Sequence, residues 1–233
     1  KLWNATRFAF MYIGRSEGTG GHFTPGALPV SLLLHNQTGP RTDLPCLPDA
    51  WILSRLAEAV ELVDQQLKAY QIAAAAETIY TFWYKELCDV YLEAIKPIMQ
   101  LDTRSVANAA TKHATQTVLH ACLHNGLRLL HPFMPFVTEE LWQRLPRSAA
   151  REMAKSIMIA EYPTHVASRA DDTVEAEFTV AQDVVKAARS LRSAYNLPPK
   201  AKPELHVVAR GERATTAVTR FADAVKTLAS AGS

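Results

Sequence analysis

Through most of the chain apolar residues recur at steps of three and four, the pattern of helices that bury one face. Leu2, Ala9 and Ile13 form the first such stripe, and Gly14 interrupts it. From Gly18 to Pro48 the chain is dense in Gly, Pro, Thr and Asn, and its one apolar run, Val30 to Leu34, has no clear period; this predicts a long connection. Asp49 is placed to cap a second helix carrying Ile52, Leu56, Val60, Val63 and Leu67. A third helix is predicted from about Ile72 to Lys96, with Ile79, Phe82, Trp83, Leu87, Val90 and Ile95 inward, ending at Pro97. A fourth runs from about Ser105 to Leu130 and should bury Ala107, Ala110, Val118, Cys122 and Leu130 or their neighbours. Pro132 and Pro135 then break the ladder, and a helix restarts from Val137 to Leu145.

Successive amphipathic helices of this kind make a bundle. Ser156 to Tyr162 is short, apolar and extended-looking, and the polar stretch from Pro163 to Asp172 marks a boundary. Beyond it come a helix from about Val174 to Tyr195, a stop at Asn196-Leu197-Pro198-Pro199, a candidate strand Leu205 to Ala209, and a helical Arg213 to Ala229. The expected fold class is therefore mainly α: a helical domain over residues 1–163, then a small, incomplete α/β element over 174–233.

Composition narrows the classes rather than choosing among them. The 233 residues are enough to bury a core without covalent staples. Cys46, Cys88 and Cys122 form no C-x-x-C pair and are odd in number, which argues against a disulfide framework or zinc knuckle and fits a reducing compartment. No apolar run is long enough to span a bilayer, and the opening lacks the order of a signal peptide. A soluble protein is expected. The formal charge of +2 does not identify a nucleic-acid binder, so such a reading must rest on local patches. The chain starts without Met, inside a helical pattern, which suggests a piece of something larger.

Catalytic signatures are missing: no Gly-rich phosphate loop, no G-x-S-x-G, no acid pair with a neighbouring base. His113, His120, His124 and His131 align roughly along the fourth helix, but His120 to His124 lacks the glutamate of H-E-x-x-H, so no metal is expected. Lys1, Asn4 and Phe8 share a face of the first helix distinct from its apolar stripe, with Arg7 at its flank. Donors beside a stacking ring are how single-stranded RNA is read; the competing reading puts Phe8 in the core. The block Tyr80, Phe82, Trp83, Tyr84 and Tyr91 points in several directions and should be mostly buried. Glu86, Asp89 and Glu93 are available to pair with Lys85 or Lys96, or to accept from base amino groups. Lys186, Arg189 and Arg192 repeat every three residues, with Lys200 and Lys202 beyond them; such a stripe tracks phosphates or is merely solvated.

Taken in order, Lys1-Leu2-Trp3-Asn4-Ala5-Thr6-Arg7-Phe8, Trp51 to Leu56, Phe82 to Glu93, Leu130 to Trp142 and Val185 to Arg192 with Asn196-Leu197-Pro198-Pro199 resemble the C-terminal part of class I aminoacyl-tRNA synthetases, specifically the valyl-tRNA synthetase family. The resemblance spans nearly the whole chain. It implies a class Ia anticodon-binding bundle with Lys1, Asn4, Arg7 and Phe8 at the anticodon pocket, Phe8 stacking a base, and Leu92 helping to wall the pocket. It also implies that Lys186, Arg189, Arg192, Lys200 and Lys202 face the tRNA backbone. The expected partners are valine tRNA and the catalytic core of the same polypeptide, in a cytoplasmic monomer. The intact enzyme would join valine to tRNA with ATP and Mg; this segment, lacking His-Ile-Gly-His and Lys-Met-Ser-Lys-Ser, would need no cofactor and be inactive alone. The isoleucyl-tRNA synthetase family shares the architecture, and a helical protein-interaction module without RNA binding is the reading from another class.

Overall fold

The computed structural model of the protein describes residues 2–13, 47–146, 154–163, 171–198 and 200–232. Lys1, Cys46 and nearly all of the Gly18 to Pro48 connection lie outside these residues, as does most of the polar stretch after Pro163. Among the described residues the regular elements are helical. They are α1 (Leu2–Ile13), α2 (Leu47–Lys68), α3 (Ile72–Tyr80), α4 (Lys96–Met99), α5 (Val106–Leu130), α6 (Pro135–Arg144), α7 (Asp172–Ala194), α8 (Glu212–Arg220) and α9 (Ala222–Ala229), with a 3₁₀ turn at Ile157–Ile159. The mainly α architecture agrees with the pattern of apolar positions.

The third helix is one rod of three windings. α3 passes directly into a π-helical stretch, Thr81–Tyr91, and closes with an α turn, Leu92–Ala94. The wider winding matches what is buried: Phe82, Leu87 and Tyr91, at steps of five and four, are all fully buried, whereas Val90, the inward residue of an α-period, is only half-buried. Trp83 lies beside them and donates from its indole nitrogen to the Gly126 carbonyl of α5 at 3.1 Å. A Cβ on Gly126 would meet the Trp83 ring at 3.0 Å and Phe82 at 3.2 Å, so glycine is what allows the rod and α5 to approach this closely.

α5 departs from the expected burial. Its first turns, including Ala107 and Ala110, are exposed and Leu130 is half-buried, while Thr115 and the run from Thr117 to Leu123 are buried almost all round because other helices enclose that section. Asp49 is also more than a helix cap. It sits in the first turn of α2, buried, and accepts from the Tyr91 hydroxyl at 2.6 Å and the Thr115 hydroxyl at 2.8 Å.

Beyond the bundle, α7 is capped by the Asp171 carboxylate, which accepts from the backbone of Thr173 and Val174. It packs on α2 through Trp51 and Phe178, whose ring centroids are 4.2 Å apart, and Phe178 continues to Phe221 between α8 and α9 at 5.0 Å. The strand expected over Leu205 to Ala209 is not formed: residues 201–210 are in no regular element, and the segment is bonded near its start by Gly232 N–H to the Pro203 carbonyl at 2.9 Å. Pairing needs a neighbouring extended chain, which the described residues do not supply.

Asp49→Ala removes an acceptor from two buried hydroxyls on different helices. It is expected to lower the unfolding free energy by about 3–5 kcal/mol in urea titration without changing the solution size of the native state.

Candidate nucleic-acid interface

α1 has only 12 residues, too few to be stable on helical bonds alone, so packing must hold it. Leu2, Thr6, Ala9 and Ile13 are buried against the bundle, the Thr6 hydroxyl donates to the Leu2 carbonyl, and the Gln116 side chain of α5 donates to the Tyr12 carbonyl at 2.6 Å. This leaves Asn4 and Arg7 exposed and Phe8 half-buried at the edge of the core. The Phe8 ring meets Tyr12 edge to face at 4.9 Å, and the Lys96 ammonium lies 5.7 Å from its centroid. Phe8 thus combines parts of both readings: its body packs on the core, and its surroundings are polar. Lys1 is outside the described residues. Leu92 is 5% exposed, so whatever it offers a pocket is apolar backing rather than open surface.

The structure brings a second aromatic residue of α1 to the surface that the sequence reading passed over. Trp3 is exposed and the Arg144 guanidinium lies 5.4 Å from its ring; only its position next to Asn4, away from the buried stripe, could have pointed to it. The aromatic block is sorted as expected: Phe82, Trp83 and Tyr91 are interior, and Tyr84 is half-buried. Tyr80 is exposed and stacks on Tyr84 at 4.4 Å.

The acids of the third helix have separate partners. Glu93 pairs with Lys96 at 2.6 Å. Glu86 instead receives Arg55 Nε at 2.7 Å, and the same guanidinium contacts Glu58 and, at 3.1 Å, Glu175 of α7; the Ser54 hydroxyl also donates to Glu175. Burial pushes the Glu86 carboxyl above its ordinary range despite Arg55, and the nearby Glu58 and Glu175 add to that rise. Burial works against the Arg55 charge, but Glu86, Glu58 and Glu175 outweigh it and hold its pKa above the usual value. Arg55, Glu86 and Glu175 line a cleft of about 410 Å³ between the third helix and α7, together with Lys85, Asp89, Lys186 and Arg189.

The basic stripe on α7 is divided by its contacts. Lys186 is exposed and pairs with Asp183 at 3.0 Å, and Lys200 and Lys202 are exposed. Arg189 donates to the Leu228 carbonyl at 3.0 Å. Arg192 donates to the carbonyls of Ala201 at 2.9 Å, Ser230 at 3.1 Å and Pro198 at 3.4 Å. The two arginines therefore satisfy carbonyls at the C-terminal end of α9 and tie the 198–201 turn to it, the charge complementing that end of the helix.

The four histidines do not converge. His113 is exposed; His120 donates from Nε2 to the Pro146 carbonyl at 2.9 Å; His124 lies against Trp142; His131 bonds Thr138 at 2.7 Å. No group of three His, Cys, Asp or Glu side chains is arranged to hold a metal ion among the described residues, and no described helix is long and apolar enough to cross a membrane.

Residues 49–209 match the family model described as the anticodon-binding domain of tRNA ligase. The chain is similar to valine–tRNA ligases: it is 41% identical to that of Rattus norvegicus over 233 residues, covering all of this chain and 17% of the relative. It is 41% identical over 193 residues to the mitochondrial valine–tRNA ligase 1 of Arabidopsis thaliana, covering 83% of this chain and 16% of the relative. With the Thermotoga maritima enzyme the identity is 36% over 207 residues, 89% of this chain and 20% of the relative. The chain thus spans about a sixth to a fifth of the length of these curated relatives.

Burial holds the His120 pKa below its ordinary 6.5, with the bond to Pro146 opposing. The unfolded chain then binds the extra proton more readily, so the stability that neutral His120 provides is present above pH 6.5 and lost as pH falls below it. Melting temperatures measured from about pH 7.5 to 5 should decline, and His120→Gln should flatten that decline. Arg192→Ala should weaken the anchoring of residues 198–201 by about 1–3 kcal/mol, visible as faster amide exchange there and at the end of α9.

Proposed function

The chain belongs to the family of anticodon-binding domains of tRNA ligases, and on that premise we propose that it is the tRNA-reading part of a valine–tRNA ligase. The observation that carries the reading to particular residues is the outer face of α1: Asn4 and Arg7 exposed beside a half-buried Phe8, on a helix held to the bundle by its other face. Donors next to a partly exposed ring suit unstacked anticodon bases, which offer both a face to stack and edges to bond. Lys1 belongs to this group through the resemblance, and Leu92 backs it from the core.

In this reading the exposed Lys186, Lys200 and Lys202 meet phosphates farther along the tRNA, while Arg189 and Arg192 shape the surface that carries them. The longer polypeptide supplies the ATP- and Mg-dependent joining of valine to the tRNA end. The contribution of this chain is positional: holding the anticodon places that distant end at the catalytic part and raises its effective concentration there. The identity to valine–tRNA ligases over nearly the whole chain favours valine over isoleucine as the amino acid served.

The test is binding of this chain at low salt to valine tRNA, to the same transcript with two anticodon bases exchanged, and to isoleucine tRNA. Valine tRNA should bind most tightly and the exchange should abolish the preference; equal binding of all three would overturn the anticodon reading. Phe8→Ala should weaken valine tRNA by about 1–3 kcal/mol and reduce the preference. A loss of melting temperature with unchanged discrimination would return Phe8 to a purely structural role.

A further inference from the structure

The surroundings of Phe8 include a residue from another helix that neither the resemblance nor the family match assigns. Lys96 opens α4 one turn beyond Leu92, and its ammonium stands 5.7 Å from the Phe8 ring centroid. An ammonium over a ring face is attracted by the ring quadrupole. Its position is fixed from the other side as well, since Nζ donates to both carboxylate oxygens of Glu93 at 2.6 Å. Tyr12 meets the ring edge to face at 4.9 Å, so the plane of Phe8 is set by contacts from α1 and from Lys96 at the start of α4.

As a stability device this arrangement does little. Lys96 and Glu93 are more than a third exposed, and pairs of this kind contribute weakly to folding because water screens them and two long side chains must be ordered. Its chemistry suits a nucleotide better. Because Phe8 is only half-buried, part of its ring stays open to a base, and a base stacked there brings its phosphate within reach of the positive charge.

We propose that Lys96 is a further tRNA-reading residue, orienting Phe8 as a stacking platform and placing a positive charge beside the phosphate of the nucleotide stacked on it. This rests on the reading of α1 as the anticodon-contacting helix. Glu93 acts with it as a positioning residue, keeping the ammonium at the ring.

The test is a salt series of binding to the valine tRNA transcript and its anticodon-exchanged form, for the wild-type chain, Lys96→Met, Lys96→Arg, Phe8→Ala and the Lys96→Met/Phe8→Ala pair. Lys96→Met should weaken the valine transcript about three- to tenfold and flatten the salt dependence by about one phosphate contact, with the melting temperature unchanged. Lys96→Arg should restore the salt dependence, and in the Phe8→Ala background the loss of Lys96 should matter much less than in the wild type. Unchanged affinity and slope for Lys96→Met, or the same loss in both backgrounds, would overturn the proposal while leaving Phe8 in place. If Phe8→Ala keeps full affinity and preference, the anticodon reading of α1 fails, and the role of Lys96 with it.

Discussion

The fold turns on a buried negative charge. Asp49 lies in the first turn of α2, out of water, where an isolated carboxylate would be strongly disfavoured. It is made tolerable by the helix N-terminus, whose partial positive charge it complements, and by hydroxyl donors on two other helices, Tyr91 and Thr115. Because both donors must reach one small group, α2, the third helix and α5 are held in a single register. That register extends to the surface: Thr115 is followed by Gln116, whose side chain anchors α1 at the Tyr12 carbonyl. The placement of Phe8, one turn earlier on α1, therefore traces back to a charge in the core.

The π-helical winding of the third helix is the second determinant of the site. A five-residue step delays the rotation of the chain relative to an α-helix, and over eleven residues the delay changes which side chains emerge at the far end. Leu92 finishes inside, and Glu93 and Lys96 finish toward α1. The winding is accompanied by the close approach at Gly126, where the absent side chain admits the Trp83 ring, whose indole N–H reaches the Gly126 carbonyl. Core packing and surface chemistry are thus two ends of the same rod.

The tail is fastened to the bundle by both apolar and charged contacts. Trp51, Phe178 and Phe221 make a chain of rings from α2 through α7 to the α8–α9 corner, and Arg55 joins Glu58 and Glu86 of the bundle to Glu175 of α7. Three carboxylates around one guanidinium do not balance, which is why burial can hold Glu86 above its usual pKa. Within the basic stripe, Arg192 donates to the carbonyls of Pro198, Ala201 and Ser230, and Arg189 gives its Nε–H to Leu228. Lys186, Lys200 and Lys202 are exposed beside them, and Arg189 is exposed as well.

The helices and the family are legible in the chain alone, because a 3.6-residue repeat, a helix start such as Pro135 and blocks such as Leu130 to Trp142 are local properties of the chain. It also separated the two faces of α1, since Leu2, Ala9 and Ile13 already formed a stripe that excluded Asn4 and Arg7. What depends on distant partners emerges only when the helices pack. Asp49 read only as a helix cap because its buried hydroxyl donors lie 42 and 66 residues away. The exposed start of α5, the unpaired Leu205 to Ala209 segment and the π winding likewise follow from what packs against each segment, not from its own period. Arg192 looked like a solvent-facing cation until Ala201 and Ser230 came beside it, and Lys96 looked like one more half of an ion pair until Phe8 did. Periodicity assigns a side chain to a face of its own helix; which atoms stand opposite that face is settled only when the helices pack.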